Sequence, residues 1–187
     1  MTLYVWQPEW EILESEEERM PTYEHGIICT NLIGELSSFV KGKNLGRVLD
    51  SSVEYRFLET PKGKGKKKTN SSKKPRFPDV TFMRQEHIPL NVRSYPEIPP
   101  DLAVEVVSPT DREYSIEARV KEYQKAGVRL VWVIHPYSRT ISVYHLDTGL
   151  LNQTIGANNE LDGEEVIPGF KLKVGDLFDY PFPPDEE

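Results

Sequence analysis

The sequence predicts an α/β fold in which helices flank a mixed β-sheet. Three observations lead to this prediction: two segments carry apolar residues at helical spacing, several short segments are typical of strands, and no internal repeat is evident. The 187 residues suffice for one domain with a real core. With 37% hydrophobic and 28% charged residues, the composition is that expected of a soluble globular protein.

Two helices are predicted from spacing and end signals. The first covers residues 23–41, because Pro21 and Thr22 favour a helix start and Gly42 is expected to end it. Its apolar positions at helical spacing are Ile28, Leu32, Leu36, Phe39 and Val40. The second helix is predicted near 112–126 and stops at a glycine.

Strands are predicted from apolar runs and from alternation of apolar and polar residues. The segment "HPYSRT" indicates a hairpin between the fourth and fifth of them. The predicted extended segments are 47–58, 78–83, 101–107, 130–134 and 140–144, with one more in the tail between 161 and 179.

The charge pattern divides the chain into a domain and its extensions. We predict an acidic extension over 1–20, a domain over 21–180 and an acidic tail over 181–187. The net charge of −7 argues against a protein that coats nucleic acid by bulk attraction. Residues 62–76, KGKGKKKTNSSKKPR, nevertheless hold seven lysines and one arginine. We expect a mobile basic loop there, which either contacts DNA or is a solvated insertion without a role.

Glu105 is an acidic residue inside the apolar strand "LAVEVV" at 102–107. A buried carboxylate is costly unless it is paired or binds a metal. Side chains alternate along a strand, so Glu105 shares a face with Asp101, and Asp79 of the neighbouring strand is its nearest expected partner. Two carboxylates at one spot repel, and a divalent cation resolves the repulsion. Alternatively, Glu105 pairs with an arginine or lies at a sheet margin.

Other chemistries find little support in the sequence. Cys29 is the one cysteine, and it is expected to be a small core residue in a reducing, cytoplasmic protein. There is no GxxxxGK[ST] loop, no CxxC pair and no HExxH motif. No apolar run approaches the roughly 18–20 residues that span a bilayer. Nucleotide hydrolysis, zinc binding and membrane insertion are therefore not predicted.

Several motifs resemble those of a known family. "FPDV" at 77–80 and "PPDLAVEVVSPTD" at 99–111 are similar to the PD-(D/E)xK nuclease superfamily. "PTYEHG" at 21–26, "AGVRLVWVIHP" at 126–136 and "IPGFKLKVGDLF" at 167–178 resemble the Uma-type restriction endonuclease family of bacteria, over nearly the whole of 21–180. The resemblance implies a restriction-endonuclease-like fold.

The resemblance also implies a metal site. At this implied site, Asp79, Glu105 and the backbone carbonyl of Val106 would hold Mg²⁺ or Mn²⁺. Members of the superfamily often carry an acidic residue on the first helix near the site, which favours Glu24, while His25 matches the Uma-type pattern. For both residues a surface position or a contact at the helix start is the alternative.

The catalytic lysine of the superfamily motif is missing, because Val107 stands in its place. The Uma-type pattern takes a lysine from the following helix, four residues before a tyrosine, and here that position is Arg119. Arg119 falls about 70° from the centre of the helix's apolar stripe and Lys121 about 125°. We therefore predict Arg119 as the site cation and Lys121 as its alternative. Arginine cannot serve as a general base, but it can clamp a phosphate.

Together these features predict a metal-dependent endonuclease that hydrolyses phosphodiester bonds, with DNA as its substrate and RNA as a further possibility. The alternative is a catalytically silent nucleic-acid-binding or protein-interaction domain on the same fold. A homodimer is expected, because two sites cut two strands most easily and oligomers favour twofold symmetry.

Overall fold

A computed structural model describes residues 21–56, 75–109, 111, 113–145 and 152–181. It shows a six-stranded mixed sheet with one helix on each face, so the predicted fold class is confirmed. The elements are α1 (Tyr23–Lys43), β1 (Gly46–Asp50), β2 (Val80–Arg84), a 3₁₀ turn (Gln85–His87), β3 (Leu102–Val106), α2 (Glu113–Ala126), β4 (Leu130–His135), β5 (Thr140–His145), β6 (Asn152–Gly156), β7 (Glu160–Asp162), β8 (Lys171–Lys173) and a second 3₁₀ turn (Val174–Phe178).

Helix α1 begins where the sequence predicts and ends later. The side chain of Thr22 accepts a hydrogen bond from the backbone N–H of His25 at 3.2 Å, which caps the first turn. The expected stop at Gly42 is wrong: the helix passes it and ends at Lys43, and Asn44, whose φ of 52° is left-handed, caps it. A single glycine costs a helix only about 1 kcal/mol, whereas the left-handed asparagine turns the chain away from the helix axis.

The sheet has the strand order β1-β2-β3-β4-β5-β6. Strands β3 and β4 are parallel and are joined by α2, while the other neighbours are antiparallel. The predicted hairpin is β4–β5. Because β2 runs against β3, the start of β2 and the carboxyl end of β3 lie at the same edge of the sheet. This edge brings the two predicted carboxylates together.

The two faces of β3 belong to different apolar clusters, as alternation predicts. Leu102, Val104 and Val106 pack with the buried stripe of α1. Ala103 packs on the other face with the stripe of α2, made of Ile116, Val120 and Tyr123. The central strand is thus covered on both sides, and any polar side chain on it is enclosed by protein.

Several predicted features lie outside the described residues. These are the acidic extension over 1–20, most of the basic loop over 62–76 and most of the acidic tail over 181–187. The two chain segments that flank the lysines are held together, since Tyr55 and Arg76 exchange backbone hydrogen bonds of 2.9 and 3.1 Å. Neither helix in the described part of the chain has the length and apolar character to cross a membrane.

Candidate active site

Asp79 and Glu105 meet at the edge where β2 begins and β3 ends. Val80 pairs with Val104 and Thr81 with Ala103, so the same register, extended by one residue, sets Asp79 opposite Glu105. Residues in such positions have Cβ atoms about 4.5–5.5 Å apart. The two residues are only 7% and 1% exposed. Two acids buried side by side require charge compensation.

Asp79 receives that compensation from helix α1 and from the backbone. The N–H of Val106 donates to Asp79 Oδ2 at 2.7 Å, and Nε2 of His25 lies 3.2 Å from the same oxygen. The hydrogen bond to Asp79, assisted by the contact with Cys29, raises the pKa of His25 to about 10. His25 is therefore a cation at neutral pH, paired with Asp79.

Glu105 is compensated from helix α2. The Tyr123 hydroxyl donates to Oε1 of Glu105, and Nε of Arg119 lies 3.1 Å from Oε2. That second contact is an ion pair without good hydrogen-bond direction, because the buried Arg119 Nε has no hydrogen-bond partner among the described residues. The attraction between the two charges does not require hydrogen-bond geometry, so at 3.1 Å the guanidinium still stabilises the carboxylate of Glu105. The arginine keeps donor capacity for another ligand.

The two candidate cations of α2 face in different directions. Arg119 is 17% exposed and turned toward the sheet. Lys121, two residues on and about 200° around the helix, is 67% exposed, with Nζ 3.4 Å from Glu117 Oε2. This is the orientation expected from the apolar stripe. It places Arg119 beside Glu105 and Lys121 in a surface pair, while the catalytic role of either residue stays a prediction.

Glu24 lies next to His25 but is oriented toward a different group. Burial and the nearby carboxylate of Glu24 raise the pKa of Tyr180. Tyr180 is also close to Arg139, whose guanidinium lies 5.6 Å from the ring centre. Of the two candidate residues on α1, His25 is the one that contacts Asp79. The role proposed for Glu24 stays a prediction.

Asp79 opens onto a cavity of about 250 Å³ at this edge of the sheet. Its lining residues are Pro21, His25, Ser51, Phe77, Asp79, Val106, Ser108 and Asp111. Asp111 joins the site through Arg119, whose Nη2 donates to its Oδ1 at 2.9 Å. The cavity is large enough for a phosphate group and several waters.

Three residues of this arrangement are absent from the site that the sequence predicts. The sequence leaves the role of His25 open, although its place in "PTYEHG" is a signal for it. In the sequence analysis, Tyr123 is used only to identify Arg119, which lies four residues before it. Asp111 belongs to the "SPTD" motif and has no predicted role. For His25 and Tyr123 the missing information is a contact with a residue of another element, whereas Asp111 contacts Ser108 and Arg119, only three and eight positions away.

The donor set fits a hard divalent cation better than zinc. It consists of two carboxylates and a nearby backbone carbonyl, and oxygen ligands suit Mg²⁺ and Mn²⁺. Within the described residues, no three His, Cys, Asp or Glu side chains are grouped to hold one ion. Mg²⁺ usually takes one or two carboxylates and completes its shell with water and substrate phosphate. The residues present therefore fit such an ion.

Comparisons with known proteins point to nucleases. The model of the Uma2 family, described as "Putative restriction endonuclease", matches residues 7–175. A solved structure titled as a putative nuclease belonging to DUF820, from Anabaena variabilis, is similar, with a TM-score of 0.68 and 19% identity. The alignment covers 85% of this chain and 82% of that chain. No match was found among proteins with curated descriptions.

Proposed function

Because the chain belongs to the Uma2 family, we propose that it is a divalent-metal-dependent nuclease that hydrolyses phosphodiester bonds in DNA. Asp79, Glu105 and the carbonyl of Val106 would hold Mg²⁺ or Mn²⁺. Arg119 would contact the scissile phosphate, Lys121 remains the alternative cation, and Glu24 remains a further candidate on α1.

One observation carries the proposal: two almost fully buried carboxylates lie opposite each other, and each is neutralised by a cation of the protein. Such an arrangement contributes little net stability, because desolvation of the charges offsets their attraction. Charge clusters of this kind occur at functional sites. The adjoining cavity is lined by Asp79 and His25, so a phosphate could approach the cluster from the side of Asp79.

When bound, a divalent ion would lower the pKa of a water ligand and stabilise negative charge on the phosphate. The residues around the two carboxylates hold those carboxylates in place. The Val106 N–H and His25 fix the carboxylate of Asp79, and Tyr123 fixes that of Glu105. The guanidinium of Arg119 stays protonated, so it binds the phosphate but does not remove a proton.

DNA is the proposed substrate because of the lysine-rich segment. Its seven lysines lie between Tyr55 and Arg76, whose bridge ends three residues before Asp79. Lysines bind the phosphates of a duplex by charge attraction, and this segment is close in sequence to the strand that carries Asp79. A homodimer would place two such sites for cleavage of both strands.

The test is cleavage of a plasmid with Mg²⁺, Mn²⁺ or chelator, together with calorimetric titration of Mn²⁺. Glu105→Gln and Asp79→Asn should each abolish cleavage and weaken Mn²⁺ binding. Glu117→Gln is the matched control, because this glutamate is exposed and pairs only on the surface with Lys121. Equal Mn²⁺ affinity in the parent and in Glu105→Gln would show that the carboxylates are not the metal site.

A silent nucleic-acid-binding domain is the second candidate. It is favoured by one observation: Val107 stands two residues after Glu105, at the position where the superfamily motif has its lysine. In that case the protein binds DNA without cutting it, and Mn²⁺ titration gives no heat. The same two assays separate the candidates.

A further inference from the structure

Asp111 makes three contacts that connect the end of β3 with helix α2. Its Oδ2 accepts from the backbone N–H and from the hydroxyl of Ser108, at 2.8 and 3.0 Å. Its Oδ1 accepts from Arg119 Nη2 at 2.9 Å. The carboxylate therefore links a residue that lies two positions after Val106 with the candidate phosphate-binding cation.

These contacts fix the guanidinium at two places. Asp111 holds Nη2, and Glu105 lies 3.1 Å from Nε. An arginine side chain has up to about 2 kcal/mol of rotamer entropy, so one contact alone leaves it free to move. Together, the hydrogen bond from Nη2 to Asp111 and the ion pair with Glu105 restrain the position of the guanidinium.

The carboxyl group of Asp111 is ionised at neutral pH. Burial by itself would raise the pKa of Asp111, but the hydrogen bonds from Ser108 and Arg119 outweigh it and keep the pKa below its ordinary value. The side chain of Asp111 is 6% exposed. Among the described residues, no three acidic, histidine or cysteine side chains are grouped so that they could hold one ion. The geometry therefore does not favour Asp111 as a third metal ligand.

We propose that Asp111 is a positioning residue, which anchors Arg119 to the loop after β3 so that the guanidinium meets the scissile phosphate. The proposal rests on the proposed nuclease function. In this role Asp111 would act through Arg119 and would not itself bind the phosphate or the metal. The buried Nε of Arg119 faces Glu105 without forming a hydrogen bond, so the hydrogen bond from Nη2 to Asp111 is the contact that gives the guanidinium its direction.

Asp111→Asn is the informative variant. It keeps the size of the side chain, but an amide cannot accept from both Ser108 and Arg119, because one side of it carries only donors. The expected result is a kcat lower by about 10- to 100-fold at saturating Mg²⁺ and DNA, since small misplacements of site groups cost factors of this size. The Kd for Mn²⁺ should change by less than about threefold, because the carboxylate ligands are untouched.

A double-mutant cycle with Arg119→Met tests the route of the effect. In the Arg119→Met background, Asp111→Asn should lower kcat by less than about twofold. Asp162→Asn, at an exposed aspartate of β7, is the control with the same chemical change. If Asp111→Asn lowers kcat equally in both backgrounds, or weakens Mn²⁺ binding as much as Asp79→Asn, the proposal is wrong.

The same cycle is measured on the affinity for duplex DNA in chelator, which needs no cleavage. Asp111→Asn should weaken that affinity by up to about 10-fold in the parent and have little effect without Arg119. A parent that binds DNA but never cuts refutes the nuclease function, and the affinity cycle still decides the role of Asp111. A parent that neither cuts nor binds DNA overturns both proposals.

Discussion

Replacing Arg119 by methionine removes the cation between two buried carboxylates. Glu105 is 1% exposed and Asp111 6%, and the guanidinium lies 3.1 and 2.9 Å from their oxygens. Breaking a buried ion pair by removing one partner costs about 3–5 kcal/mol of unfolding free energy. In a chain of this length 1 kcal/mol corresponds to about 2–4 °C, so the midpoint of thermal unfolding should fall by about 6–20 °C. Methionine replaces much of the apolar part of the arginine side chain, so the loss of stability results mainly from removal of the charge.

The measurement is thermal and urea unfolding in chelator and in saturating Mn²⁺. We expect the loss to be smaller with Mn²⁺, because an ion held by Glu105 supplies positive charge in place of the guanidinium. Lys121→Met is the matched control on the same helix, and its exposed pair with Glu117 contributes about 0.5 kcal/mol or less. If both variants lose under about 1 kcal/mol, the contact of Arg119 with Glu105 does not exist as described.

Three further predictions concern the same site and its surroundings. In metal-free protein, NMR titration should give His25 a pKa of about 10, and Asp79→Asn should return it toward 6.5. Since this pKa is raised on folding, the stabilisation by His25 is full below pH 6.5 and is lost as the pH rises to about 10; a normal pKa in the parent would contradict the pairing. Arg119→Lys should keep or raise the cleavage rate, because it restores the residue of the family pattern. Arg119→Ala should lower the cleavage rate by about 100- to 1,000-fold, to a residual rate that is still measurable, and Lys121→Ala should have little effect; the reverse result would make Lys121 the site residue. Deleting the lysine-rich segment should flatten the salt dependence of DNA binding, by about 0.9 in the logarithmic slope for each lost phosphate contact, and an unchanged slope would mean that the segment does not touch DNA.

Most strands and both helices are predictable from the sequence, but two of the last three strands are not. Strands β6, β7 and β8 have five, three and three residues, and only a single strand is expected in this part of the chain. Polar residues dominate β6, so it carries little apolar alternation of its own. Its pairing with β5 supplies the backbone partners that the local sequence does not reveal.

The sequence by itself determined which residues share a face. Alternation along β3 separates Glu105 from Val104 and Val106, and the helical period turns Arg119 inward and Lys121 outward. These relations depend only on the local geometry of one element. The two carboxylates and the inward-facing cation therefore follow from the order of the amino acids alone.

Only the tertiary structure decided what each carboxylate contacts. His25 and Asp79 are 54 positions apart and meet because α1 packs across the sheet with its first turn at the edge where β2 begins. Glu105 and Tyr123 meet because the apolar stripe of α2 packs on the face of the sheet to which Glu105 points. Contacts between separate elements follow from how their apolar faces pack, and no periodicity within one segment specifies that packing.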